Sequence, residues 1–185
     1  MKNSLYLSLL AISMSFQVQQ AYAQKATSDQ SRTTFQAASW QLGLKDGYGQ
    51  GNLLKNRNSL QLHAGYFLVK QLAVGLNATW SKEWVNNFNY YDLLAGPYVR
   101  YQFTTTRFSP FLEASYQVGK RSSGEGSSIS YPSVAMQSTQ ISPGVSIGLS
   151  RSIRLELSYG LQWVYFSNNS QSFGQPQIGL TYLLR

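Results

Sequence analysis

Apolar and polar residues alternate one by one along several stretches of this chain. In residues 72–80, leucine, valine, alanine and tryptophan occupy every second position, and residues 153–163 and 178–184 repeat the pattern with isoleucine, leucine and tyrosine. A period of two places successive side chains on opposite faces of a strand, so each stretch predicts a strand with one apolar and one polar face. Helical spacing, with apolar residues three and four positions apart, explains none of them.

Eight such segments follow one another, and the connections between them alternate in length. The predicted strands cover residues 35–45, 59–68, 72–80, 91–103, 108–119, 137–149, 152–165 and 175–184. Short turns with the sequences VKQ, TTTR and SRS follow the second, fourth and sixth strands, whereas long polar connections follow the first, third, fifth and seventh. A chain that crosses a wall eight times in this way places its long loops at one rim and both termini at the other. We therefore predict an all-β fold, an eight-stranded antiparallel up-and-down β-barrel.

The charged residues of the predicted strands share the polar face, and none falls in mid-strand on the apolar face. A soluble, lipocalin-like barrel would turn the apolar face inward around a ligand, whereas a transmembrane β-barrel turns it outward to lipid and pairs its charges inside. The period alone leaves both arrangements open. In the transmembrane arrangement, the inward-facing polar network consists of Arg100, Glu113, Arg154, Glu156, Asp92, His63 and Gln61.

Aromatic residues near the strand ends and basic residues at the short turns favour the transmembrane arrangement. Rings of this kind concentrate at the two membrane–water interfaces. The candidate interfacial aromatics are Tyr66, Trp80, Trp84, Trp163 and Tyr182. Basic residues at the short-turn rim can reach lipid phosphates, although ordinary solvated turn residues are the alternative. The candidates for these lipid contacts on the periplasmic rim are Lys70, Arg107, Arg151 and Arg185.

The polar network predicts a filled bore. Buried charges persist when they are paired and hydrogen-bonded, and an eight-stranded barrel is just wide enough for side chains to fill. Arg100 and Glu113 are the pair that we expect in contact, because one tight hairpin joins their strands. A thin path for water or ions through a mobile ion pair is the alternative.

Two prolines fall within predicted strands. Pro97 and Pro143 each lack the N–H that would donate to a neighbouring strand, and a closed barrel has no free edge where this N–H is not needed. Each proline also has a glycine beside it. This combination predicts a β-bulge at each position, because bulges accommodate residues that interrupt the ladder.

The N-terminus carries the parts of a secretory signal. Lys2 supplies a positive charge, an apolar core of about a dozen residues follows, and Ala21-Tyr22-Ala23 has the small residues of a cleavage site. The core is shorter than the roughly 20 residues of a membrane-spanning helix. We predict a signal peptide at residues 1–23, a short periplasmic segment at 24–34 and a barrel at 35–185, with a buried amphipathic N-terminal helix as the alternative.

Composition excludes several classes of function. The chain has no cysteine, so a disulfide framework is impossible, and its formal net charge of +8 in an exported protein favours anionic lipid over nucleic acid as a partner. It has one histidine, His63, on the inward face, and no second histidine for a metal site. We therefore expect no catalytic residues, no metal and no cofactor.

Several phrases of the sequence resemble a known family. GYFLVKQLAVGL, GPYVRYQF with FSPFLEASYQVG, and the closing QIGLTYLL are similar to the outer-membrane β-barrel domain family, the small OmpA/OmpX-like barrels of Gram-negative bacteria. The resemblance covers essentially the whole chain after the signal and implies a location in the outer membrane. The last strand, with Gly179, Tyr182 and Leu184, also resembles the signal read by the barrel-assembly machinery, but it ends in arginine rather than phenylalanine.

We therefore expect an integral outer-membrane barrel with a structural or surface-interaction role, surrounded by lipids and lipopolysaccharide and monomeric. The long loops are expected to be extracellular, and Lys120 and Arg121 in one of them are candidates for contact with lipopolysaccharide. A narrow passive pore for water or small ions is one alternative. A soluble, lipocalin-like binder of apolar ligands in the periplasm is another.

Overall fold

The computed structural model describes residues 35, 37–51, 55–85, 88–125, 128–129, 133–166 and 170–184. The predicted signal peptide and periplasmic segment lie outside the described residues, as does the rim candidate Arg185. In the described part of the chain, no helix is long and apolar enough to cross a membrane.

Eight long strands and one very short strand make up the described structure. They are β1 (Trp40–Gly51), β2 (Lys55–Val69), β3 (Leu72–Val85), β4 (Phe88–Gln102), β5 (Phe108–Glu125), β6 (Ser128–Ile129), β7 (Val134–Gly148), β8 (Ile153–Tyr165) and β9 (Ser170–Leu184). Each long strand pairs antiparallel with its neighbours, and β1 pairs with both β2 and β9, so the sheet closes on itself. β6 pairs with the end of β5. The prediction of an eight-stranded antiparallel barrel is confirmed.

The register of the pairing sets the tilt and width of the barrel. Following directly paired residues once round from Trp40 leads to Gln50, ten residues further along β1. With a rise of about 3.3 Å per residue and strands about 4.8 Å apart, this stagger tilts the strands by about 40° and gives a radius of about 8 Å. Such a bore has room for side chains alone.

The strands extend further than the sequence pattern predicted, and the first begins later. β1 starts at Trp40 rather than at residue 35, and DGYGQG, predicted as loop, completes it. β3 and β5 likewise continue through residues that were predicted as loops, so that β5 spans 18 residues. Backbone hydrogen bonds of a ladder do not depend on side-chain polarity, whereas the alternating pattern is visible only where one face is apolar. The rim opposite the VKQ, TTTR and SRS turns, here called the upper rim, is therefore an extension of the barrel wall, and most of the residues predicted as long loops belong to strands.

The predicted bulges at Pro97 and Pro143 are wrong. The pairing of β4 with β5 skips Pro97 and resumes in the same register, and that of β7 with β8 skips Pro143 in the same way. The ladder pairing with one neighbouring strand is therefore interrupted at each proline, and no extra residue is inserted. Among the described pairs the register shift lies elsewhere, between Phe67 and Val69 where β2 meets β3.

The two faces of the wall have opposite chemistry. On the outer face, Leu76 is 67% exposed and Leu93 64% exposed, and other leucines, valines and aromatics surround them. On the inner face, Arg100 and Arg154 are fully buried. This arrangement is the reverse of that in a soluble, lipocalin-like barrel, whose apolar face points inward and whose polar face meets water. The exterior matches the wall of a membrane-spanning barrel.

Asp46 departs from this arrangement. The extension of β1 places it on the outer face, exposed, directly across from Leu60 on β2 and Ile178 on β9. The expectation that no charge lies in mid-strand on the apolar face is therefore wrong at this position, because the residue was predicted to belong to a loop. A carboxylate facing hydrocarbon lowers the stability of a membrane barrel.

Replacing Asp46 with leucine is expected to raise the free energy of unfolding by about 1–2 kcal/mol, because the change removes an outward-facing charge from the apolar belt. Unfolding in urea, followed by tryptophan fluorescence in lipid vesicles, measures the difference. Asp46→Asn, of nearly the same shape, should give part of the gain. A loss of stability in Asp46→Leu would show that the carboxylate has a favourable partner.

Candidate functional site in the barrel interior

The inward-facing side chains form successive levels along the barrel axis. β5 shows the order, because Glu113, Gln117 and Arg121 all face inward at intervals of four residues. Each interval corresponds to about 13 Å along the strand. Two clusters of charged residues are thereby separated by a level of glutamine and other uncharged polar side chains, and an apolar cluster lies below them at the short-turn rim.

The lower charged cluster consists of two basic and two acidic residues. The side chain of Arg100 donates to Glu113 from Nε at 2.8 Å and to Glu156 from Nη1 at 2.6 Å and Nη2 at 3.1 Å. Lys45 Nζ lies 3.0 Å from both oxygens of Glu113 and 3.8 Å from Glu156. The ring of Phe111 packs against this cluster, with its centre 4.5 Å from the guanidinium carbon of Arg100. All four charges are buried and mutually neutralised, as removal from water requires.

This geometry brings together three residues of the predicted network and one that the sequence analysis missed. Arg100 and Glu113 are direct cross-strand partners, and Glu156 reaches them from β8. Lys45 comes from β1 and is separated from Glu113 by 68 positions in the sequence. The inward parity of β1, shared with the buried Gln41, is the signal that could have found it.

Arg154 does not join this cluster, although the sequence analysis grouped it with Glu156. Its Nε donates to Ser146 Oγ at 2.7 Å, and its Nη2 donates to the carbonyl oxygens of Ser146 at 2.8 Å and Arg107 at 3.0 Å. Its guanidinium carbon lies 4.4 Å from the ring centre of Phe35. The apolar cluster at this end consists of Phe35, Phe67, Ala73 and Leu183. Arg154 and these side chains therefore close the bore at the short-turn rim.

His63 lies inside the bore just above this seal. Its Nε2 is 3.4 Å from Thr181 Oγ1, and its ring meets the edge of Tyr98 with 5.9 Å between ring centres. The hydroxyl of Tyr98 accepts a hydrogen bond of 2.7 Å from Gln41. A Cβ at Gly43 would overlap the imidazole, so the glycine makes the space that this ring occupies. Groups of histidine, cysteine and carboxylate side chains able to hold a metal ion are absent from the described residues.

The middle level is uncharged and rich in amides. Gln117 donates to Asn77 Oδ1 at 2.9 Å and to Thr79 Oγ1 at 2.8 Å. Gln140 and Gln162 donate to nearby serine hydroxyls at 2.8 Å. Gln61 also faces this space, and its amide has no hydrogen-bond partner among the described residues. Amides can donate and accept, so this level links the two charged clusters without adding net charge.

The upper charged cluster is also balanced. Arg121 donates to Asp92 through Nε at 2.6 Å and Nη2 at 2.8 Å, and its Nη2 is 3.1 Å from Glu83. Arg57 lies 3.2 Å from Asp92 on the other side, and Ser81 bonds to both of them. The predicted network member Asp92 is thus eight residues along β4 from Arg100, in a different cluster.

The prediction of Lys120 and Arg121 as loop residues is wrong. Both lie within β5, where Lys120 pairs with Leu93 and Ala135, and Arg121 pairs with Asp92 and Val134. The parity of the strand turns Arg121 inward to the upper charged cluster and Lys120 outward. Their glycine- and serine-rich surroundings predicted a loop because they lack the apolar alternation of the rest of the strand.

The candidate aromatics lie on the outer face near the two ends of the wall. Tyr66 and Tyr182 are near the short-turn rim, and Trp80, Trp84 and Trp163 are towards the upper rim. Trp40, which the sequence analysis missed, packs edge-on against Tyr66 with ring centres 5.2 Å apart. The candidates Lys70, Arg107 and Arg151 are exposed at the short-turn rim, where Arg107 donates to the carbonyl of Gly148 at 2.9 Å.

Solved structures resemble the chain along most of its length. The N-terminal β-barrel domain of OprF from Pseudomonas aeruginosa superposes with a TM-score of 0.59 at 14% sequence identity, over 80% of this chain and 98% of that one. Neisserial surface protein A superposes with a TM-score of 0.60 at 19% identity, over 78% and 95%. The chain has the fold of the eight-stranded outer-membrane β-barrels. No protein-family model matches it, and no curated protein matches it in sequence.

This fold is shared by proteins of different function. PagL, an outer-membrane enzyme, superposes with a TM-score of 0.52 at 14% identity, over 77% of this chain and 98% of that one. The fold alone therefore does not determine whether a barrel is an enzyme, which depends on the side chains of its site.

Proposed function

We propose that the protein is an integral outer-membrane β-barrel of a Gram-negative bacterium with a structural or surface-interaction role. The observation that carries this proposal is the reversal of the wall, with leucines and aromatics outside and balanced charge clusters inside. Such an apolar outer surface is stable in contact with the hydrocarbon of a membrane. The aromatic residues at its two ends lie where the aromatic rings of a membrane barrel meet the membrane–water interfaces. Lipids and lipopolysaccharide are then its surroundings.

The remaining features of this proposal follow from the same topology. The short turns and both ends of the barrel chain share one rim, which faces the periplasm after export by the signal peptide at residues 1–23. The upper rim is extracellular, and Lys70, Arg107, Arg151 and Arg185 contact periplasmic-leaflet phosphates. The barrel is a monomer that the barrel-assembly machinery inserts, a role supported by the sequence of the last strand.

The interior supports a closed bore rather than a pore. Arg100, Glu113 and Glu156 occupy the centre of the lower level, and Arg57 with Asp92 occupies the upper one, all buried. An ion would have to break a buried ion pair at both levels, and separating such a pair is costly. The contacts of Lys45 with both carboxylates of the lower cluster are the one observation that favours a narrow pore, because they provide a second partner when Arg100 moves.

Three measurements test the proposal. After membrane fractionation, the protein should be found in the outer-membrane fraction. The unheated protein should migrate on gels differently from the boiled protein, as folded barrels do. Purified folded protein in planar lipid bilayers should give no conductance steps above background. Discrete steps would establish the narrow pore, and a protein that stays soluble without detergent would contradict the membrane barrel.

We infer that the barrel is not an enzyme. The chain contains a single histidine, and the structure encloses it beside Tyr98 and Thr181, away from both the lipid and the upper rim. A general base has to reach the substrate proton that it removes, and this ring reaches only the bore. Incubation of the folded protein with lipopolysaccharide, followed by mass spectrometry of the lipid, should show no change in mass.

A further inference from the structure

Two lysines lie on the outer face of the barrel near the upper rim, one on each side of β4. Lys82 on β3 is directly across from Tyr91, and Lys120 on β5 is directly across from Leu93. Both side chains have outward parity, whereas their acidic neighbours Glu83 and Asp92 face inward. The outer surface between these lysines is therefore positive.

The stagger of the barrel brings the two lysines to the same level. Because the strands are tilted, the direct partner of a residue on the next strand lies closer to the upper rim when the strands are followed from β3 to β5. The difference in height is about one and a quarter residues per strand in a barrel of this tilt. Crossing β4 from Lys82 through Tyr91 leads to Ser122, so the residue of β5 level with Lys82 lies two to three positions earlier, where Lys120 stands. Their Cα atoms are then about 12 Å apart, within the combined reach of two lysine side chains to one headgroup.

Aromatic rings hold one of these ammonium groups at the interface. Lys82 Nζ lies 5.0 Å from the ring centre of Trp84 and 5.3 Å from that of Tyr91. Cation–π contacts of this kind orient an ammonium without neutralising it. The ion pairs of the described residues involve neither Lys82 nor Lys120. In the bore, by contrast, Lys45, Arg57, Arg100 and Arg121 all have carboxylate partners.

A groove near Lys120 provides a mixed apolar and polar surface next to the charge. It has a volume of about 390 Å³, and its lining includes Val118, Ala135, Gln137 and Tyr165. Ala135 is the direct partner of Lys120 on β7, and Val118 lies two residues before Lys120 on the same face of β5, so the groove adjoins the lysine. Such a groove suits the upper part of an acyl chain whose headgroup sits at the level of the ammonium groups.

We propose that Lys82 and Lys120 form a binding site for the phosphorylated headgroup of an outer-leaflet glycolipid, with an acyl chain in the groove beside Lys120. The proposal rests on the proposed function, which places the upper rim in the outer leaflet. Phosphates lie at the level of the aromatic rings in a bilayer, and clustered basic residues there bind them. The separation of the two lysines suits a headgroup with two phosphates, whereas a lipid with one phosphate engages one lysine at a time.

The test measures binding of diphosphorylated lipid A to the folded protein in detergent, by native mass spectrometry and by tryptophan fluorescence, to which Trp84 beside Lys82 contributes. We expect Lys82→Gln and Lys120→Gln each to weaken binding about fivefold and the double variant about 30-fold. Asn58→Ala, on the outer face of β2 directly across from Lys82, removes a neutral polar side chain at the same rim and should stay within about twofold of the parent protein. Lipid A without phosphates should bind the parent protein as weakly as diphosphorylated lipid A binds the double variant.

The outcomes separate this inference from the proposed function. Equal binding by the parent protein and the double variant, both with heat-modifiable mobility, would overturn the lysine site and leave the membrane barrel intact. Equal competition by phosphatidylglycerol or inorganic phosphate would also overturn it, because the site would then recognise any anion. Failure of the parent protein to fold in detergent or to fractionate with the outer membrane would contradict the proposed function itself.

Discussion

Replacing Arg100 with leucine is expected to lower the free energy of unfolding by about 3–5 kcal/mol. The change leaves Glu113 and Glu156 buried with Lys45 as their one remaining cationic partner in the lower cluster. Two buried carboxylates then share one lysine, so part of the desolvation cost of these carboxylates is no longer compensated in the folded barrel. Chemical unfolding in lipid vesicles, followed by tryptophan fluorescence, measures the loss.

Two further variants decide whether charge balance is the cause. Adding Glu156→Gln to Arg100→Leu leaves one lysine facing one carboxylate, so the double variant should recover a substantial part of the lost stability. Lys70→Leu removes an exposed cation in a turn and should change stability by about 0.5 kcal/mol or less. Equal losses for Arg100→Leu and Lys70→Leu would show that the lower cluster does not stabilise the barrel.

Gly75→Val is expected to prevent folding of the barrel or to destabilise it by more than about 3 kcal/mol. Gly75 faces the bore and pairs with Gly65 on β2 and with Tyr98 on β4. A Cβ there would overlap the carbonyl oxygen of Ala64 and lie 2.7 Å from Cε1 of Tyr98. The two glycines thus make room for the tyrosine ring, which in turn packs against His63 and bonds to Gln41.

Local strand preference predicts the opposite result for this substitution, which makes the test informative. Valine favours strands more than glycine does, so a purely local effect would stabilise β3. Ala95→Val on the outer face of β4 adds methyl groups facing lipid and serves as the control, expected to be neutral within about 0.5 kcal/mol. The fraction of protein with folded gel mobility after refolding into detergent measures both. Normal refolding of Gly75→Val would mean that the bore is less tightly filled than its geometry shows.

The sequence by itself determined the fold and the chemistry of each face. Alternation along residues 72–80 and 153–163 is a local property, because neighbouring side chains of any strand point to opposite sides. The partnership of Arg100 with Glu113 was equally local, since a short hairpin sets the register of β4 against β5. The extension of the strands towards the upper rim escaped the sequence, because alternation fades where both faces are polar. Asp46 and Lys120 were assigned to loops for that reason.

Only the closed tertiary structure decided which distant residues meet. The ten-residue stagger is a condition on all eight long strands together, and no segment of the sequence contains it. It brings Lys45 to Glu113 and places Lys82 level with Lys120. Side-chain polarity tells which face a residue occupies, whereas its height in the barrel depends on the pairing of every strand between it and its partner. The wall could therefore be derived from the sequence, but the contacts within the bore and the pair of lysines on the outside required the register of the closed sheet.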